Sequence, residues 1–122
     1  HVGCLWLVVG FALLGASLFV AALPQSAALH ALTAGAVGTM TLAVMTRASL
    51  GHSGRALKAG AGTMIVYALV TLAALARVLS PAVAGAETDM LVLSGALWIA
   101  AFGLFAVLYA PVLLLAAPQA KD

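Results

Sequence analysis

The chain has 122 residues, 66% of them hydrophobic and 7% charged, with five Lys/Arg against three Asp/Glu for a net charge of +2. Soluble domains run at about 25% charged residues. So few charges exclude a water-soluble enzyme and a disordered segment, and they are too scattered for a phosphate-tracking surface, so nucleic acid is not a partner. The composition is that of a polytopic membrane protein.

A bilayer core of about 30 Å takes about 20 apolar residues in a helix, and the sequence supplies four such stretches. They predict an all-α bundle of four transmembrane helices, because lipid offers the backbone no hydrogen-bond partner. The first runs over about 2–23 and ends at Pro24-Gln25-Ser26. The second covers about 27–45 and carries small residues at Ala31, Gly35 and Thr39, and again at Ala34 and Gly38, spacings that let backbones approach closely. A polar segment, 46–58, reads as a loop holding Gly51-His52-Ser53-Gly54 with Arg47, Arg55 and Lys58. The third helix, about 59–79, sets Gly60, Thr63, Met64, Tyr67 and Thr71 on one face, which predicts a seam toward protein. After an 80–89 loop the fourth covers about 90–117, with Pro111 marking a kink or an exit.

The basic residues cluster at the 46–58 segment and Lys121, and the acids Glu87 and Asp89 lie on the other side. The positive-inside rule therefore predicts a cytoplasmic 46–58 loop and cytoplasmic ends, with the 24–26 turn and the 80–89 loop outside. A single cysteine, Cys4, allows no intrachain disulfide. The sequence opens at His1 rather than Met, which predicts a piece of a longer protein.

Few residues can carry chemistry. His30 sits about one turn inside the second helix, and an intramembrane ionisable residue must face a cavity or a partner. Imidazole ligates haem iron and copper, and Thr33, Ala34, Val37 and Gly38 share its face. The alternative is an interhelical hydrogen bond. His52 lies at the opposite end, roughly 30 Å away along the chain if the intervening segment is helical, so the two cannot share one metal. His1 and Cys4, at i and i+3, would make a soft N/S pair. Arg77, costly inside a membrane, either snorkels or pairs with Glu87, Asp89 or a cofactor carboxylate. No phosphate loop, nucleophile elbow, CxxCH or HExxH occurs.

The stretch 30–55, HALTAGAVGTMTLAVMTRASLGHSGR, resembles the signature of the NnrS family, membrane proteins linked to nitric oxide and denitrification. Ser53 stands where that family carries Thr. The likeness continues through Ala76-Arg77-Val78-Leu79, Ser94-Gly95, Leu97-Trp98 and Tyr109-Ala110-Pro111. At the start, His1-Val2-Gly3-Cys4-Leu5-Trp6 is similar to a family His-x-Gly-Tyr-x-Trp, with Cys4 replacing the aromatic. Family members are about three times longer, so the chain looks like their last third. The resemblance implies a haem- and copper-containing, multi-pass protein of the bacterial inner membrane, acting in nitric oxide response. It packs against the remaining helices of its parent and the lipid bilayer. His30, His52 and His1 occupy family-pattern histidines and are the candidate haem and copper ligands, while Arg47, Arg55 and Arg77 are candidate charge-bearing positions. A metal-free permease segment and a structural anchor are the alternatives.

Overall fold

A computed structural model describes residues 2–114, and these are helical with no strand among them. Helix α1 is Val2–Ser17. Helix α2 runs without a break over Gln25–His52, α3 is Ala61–Leu79, extended by a 3₁₀ turn at Ser80–Ala82, and α4 is Glu87–Leu114. Three of the four, α2, α3 with its 3₁₀ turn, and α4, are long and apolar enough to cross a membrane. The 16 residues of α1 make about 24 Å, short of a bilayer core of about 30 Å.

Helix α4 starts at Glu87, so Glu87 and Asp89 form its first turn and not the end of a loop, and two boundaries differ by more than that from the sequence expectation. The first helix stops at Ser17, not Leu23: the Ser17 hydroxyl donates to the Leu14 carbonyl at 2.8 Å. Tight turns then lead through Leu18 and Phe19, whose N–H groups donate to Gly15 and Ala16. The second difference is larger. Residues 46–52, expected in a loop, are the last turns of α2. The helix ends only where Gly54 takes a positive φ of 66°, with its N–H donating to Gly51 and that of Arg55 to Leu50. That bond pair is a Schellman stop, with Gly54 as the left-handed residue beyond the cap. The connection to α3 is therefore just 53–60. The far end of the fourth helix, 115–117, lies outside the described residues, as do His1 and Lys121.

Helix α2 is the hub. One face, Ala31, Gly35 and Thr39, is buried and receives α1. A Cβ on Gly35 would lie 2.5 Å from the Trp6 indole, and one on Gly3 would lie 3.0 Å from the Thr39 hydroxyl and closer still to Met40. The backbones thus meet through side chains that are absent. On the other side α2 packs on α3 and α4, around a core of Leu42, Val66, Val70, Ala101, Phe105 and Tyr109. Interhelical hydroxyl pairs pin this half, Thr46 with Tyr67 and Thr63 with Tyr109 at 2.9 Å. Ser94 of α4 donates to the Ala73 carbonyl of α3 at 2.8 Å. The expected α3 seam holds at Thr63, Tyr67 and Thr71, which are buried or half-buried, but Met64 is 59% exposed and Gly60, also exposed, precedes the helix.

Gly35→Ala forces a methyl group against the root of the Trp6 ring, which cannot swing aside as a flexible tip does. It should destabilise the bundle by about 1–3 kcal/mol. Gly103→Ala, with nothing within 4 Å of the added Cβ, should leave stability unchanged or slightly raised. Thermal unfolding in detergent compares them, and equal behaviour of the two variants contradicts the packing account.

Candidate functional site: an open cleft lined by His30 and Arg77

At the acidic end of the bundle, α2, α3 and α4 border an open, largely apolar cleft of about 740 Å³, within the range of small-molecule and cofactor sites. His30, Thr33, Ala34, Val37, Gly38 and Thr41 of α2 form one wall, and Ser94, Gly95, Trp98, Ile99 and Phe102 of α4 the other, with Arg77 of α3 closing the polar end. His30 and Arg77 are both half-buried. Two groups that are expensive in lipid therefore share one cavity.

The backbone is unusual where it carries the histidine. Immediately after His30, residues Ala31–Val37 form a π-helix, a wider coil often found at functional sites. Thr33 donates to the Leu29 carbonyl at 2.7 Å, and Thr39 donates to that of Gly35 at 2.7 Å, each bonding back one turn within its own helix.

The opposite wall is aromatic. Trp98 and Phe102, one turn apart, hold their ring centroids 4.9 Å from each other at 33°. The edge of the Trp98 ring reaches α2, where a Cβ on Gly38 would lie 2.5 Å from it. Gly38, on the second of the two small-residue stripes, thus admits the indole, while Gly95 leaves open space beside it.

The other sequence candidates are elsewhere. His52 is exposed at the last turn of α2, 22 positions along the same helix from His30, which is about 33 Å. Arg47 is exposed and Arg55 half-buried, both near that basic end. His1 lies outside the described residues, and Cys4 is exposed on α1. Among the described residues no three His, Cys, Asp or Glu side chains come together as a metal-ligating group. No motif marks Ser94, Trp98 and Phe102 of α4 as one wall. Their i, i+4, i+8 spacing was the available signal.

The fold and the cleft define an integral membrane bundle with a histidine and an arginine facing a shared intramembrane cavity. The NnrS protein family profile matches residues 1–116, and the chain belongs to that family, a multi-pass membrane protein. No curated protein and no solved structure matches it.

Gly38→Val places methyl groups where the Trp98 edge now lies, so the indole must leave the α2 surface. The expected result is a change in Trp98 emission or its loss of protection from lipid-soluble quenchers, with Trp6 replaced by Phe as background. An unchanged spectrum contradicts the assigned wall.

Proposed function

We propose that the chain contributes the ligand-bearing cleft of a haem-containing membrane protein of nitric oxide response, in which His30 would supply a nitrogen ligand to the haem iron. The observation that carries this reading is the sharing of one cavity by His30, Arg77 and an aromatic wall. An imidazole supplies the nitrogen that haem iron takes. A guanidinium suits a propionate carboxylate, and Trp98 with Phe102 offers an apolar face to a flat macrocycle. The donor set therefore fits haem with one ligand from this chain. Copper does not fit the described residues in the same way, since no group of His, Cys, Asp or Glu gathers to hold it, and no role is derived through it.

When bound, haem supplies an iron centre with affinity for small diatomic ligands such as nitric oxide. The residues of this chain do the rest. His30 stands where the α-helical turn passes into the π-helical coil, Arg77 would offset anionic charge, and Trp98 and Phe102 would pack on apolar surface. Nitric oxide, small and uncharged, reaches such a site through lipid without a polar channel. The basic end of the bundle, with Arg47, Arg55 and Lys58, is the cytoplasmic one on this reading, in the inner membrane of a bacterium.

His30→Ala in the full natural chain should keep expression and helix content but lose most of the haem Soret absorbance. His52→Ala, some 33 Å away along α2, should keep it. Wild-type absorbance in His30→Ala would leave the histidine as an interhelical hydrogen-bonding group and remove the ligand assignment.

Orientation is tested separately by thiol labelling. Ser53→Cys should react from the cytoplasmic side and Thr88→Cys from outside, in a background without Cys4. The reverse pattern inverts the topology.

A further inference from the structure

A second cavity, of about 240 Å³, opens at the basic end of the bundle between the last turns of α2, the 53–60 connection and the start of α3. Arg47 and Lys58, from two different segments, both line it, over a floor that includes Thr46, Thr63 and Tyr67. It is smaller than the range of cofactor sites and far from His30. The described acids, Glu87 and Asp89, open α4 at the opposite end, so neither neutralises these cations.

The depth is informative. Arg47 stands about 13 Å past the midpoint of α2 at 1.5 Å per residue, at the edge of a hydrocarbon core about 30 Å thick. Lys58 follows in the connection outside the helix. The hydroxyls on the floor are already engaged with one another and with backbone, Thr46 with Tyr67 and the Ala43 carbonyl, Thr63 with Tyr109. The charged donors facing the cavity are the guanidinium and the ammonium.

We propose that this cavity binds a phosphate group, with Arg47 and Lys58 as its two cationic contacts. The chemistry fits the phosphate of an anionic phospholipid headgroup, which lies at this depth, and equally a free phosphate. Basic pockets between helices at the headgroup level hold such groups. The proposal concerns the end of the bundle opposite the His30 cleft and does not depend on haem.

The test uses the full natural chain purified in mixed micelles of phosphatidylglycerol and phosphatidylcholine, with retained lipid counted by native mass spectrometry. Wild type should keep phosphatidylglycerol in preference to phosphatidylcholine. Arg47→Gln and Lys58→Gln should each weaken retention about fivefold, the equivalent of about 1 kcal/mol per cation near a charged surface. The double variant should abolish the preference. Arg47→Lys, which keeps the charge, should restore most of it, and Arg55→Gln, a cation outside the cavity, should leave it intact. Unfolding temperatures confirm that each variant is folded, and an Arg47→Gln protein that fails this control is replaced by Lys58→Gln alone.

A parallel arm adds 10 mM inorganic phosphate. Displacement of the lipid identifies free phosphate as a competent occupant, and resistance identifies the headgroup. Retention that is equal in wild type and the double variant, with no effect of inorganic phosphate on either, overturns the proposal.

Discussion

Two tryptophans rest on two glycines of one helix, and the architecture follows from that. Trp6 of α1 lies on Gly35, Trp98 of α4 lies on Gly38, and a Cβ at either glycine would come within 2.5 Å of the ring. In lipid, apolar side chains gain nothing by leaving the solvent, because the solvent is as apolar as they are. Association therefore rests on close contact and hydrogen bonds. A helix with Ala31, Gly35 and Ala36 on one side and Gly38 on another can be approached closely from several directions. That is why α2 sits at the centre and the larger side chains come from its neighbours.

The same small residues make a cleft possible. With Gly38 against Trp98, and Ala34 and Gly95 adding little bulk, α2 and α4 touch at the indole and leave space beyond it. Toward the basic end the space closes, as Leu42, Val70, Ala101 and Phe105 fill the interface. The hydroxyl pairs Thr46–Tyr67 and Thr63–Tyr109 fix the register there. The larger cleft thus lies on the acidic side of this core, and the smaller cavity at the basic end lies beyond it.

Much of this was legible from residue type and spacing. The apolar stretches gave the helices, and the two small-residue stripes on α2 marked its contact faces. His30 was singled out because its charge has no place in lipid. The boundaries were less legible for a specific reason. Arg47, Ser49, His52 and Ser53 are polar, and polarity reads as loop when a membrane helix is expected to stop at the edge of the hydrocarbon. Yet a helix costs nothing extra when it continues into the headgroups, and α2 goes on until Gly54 supplies a left-handed stop. The π-helix was not legible at all, since Ala31–Val37 has no proline or charge to mark a wider coil.

The pairing of His30 with Arg77 limits what the cleft can hold. A cation deep in a membrane helix costs roughly 2.5–3.5 kcal/mol on insertion scales, less toward the interface, and a half-buried imidazole adds a polar group with few partners. Ser17 and Thr71 show how this chain treats a polar side chain that packing alone has to accommodate: each hydroxyl bonds a carbonyl one turn back in its own helix. Neither imidazole nor guanidinium is disposed of in that way, as both face the cavity. A wholly apolar occupant would leave both unsatisfied, and a simple anion would answer the arginine alone. An occupant with a Lewis-acidic centre for the imidazole, an anionic edge for the guanidinium and a broad apolar face for Trp98 and Phe102 satisfies all of them together. That combination of demands, rather than any single residue, is what makes the cleft a cofactor site on the reading proposed.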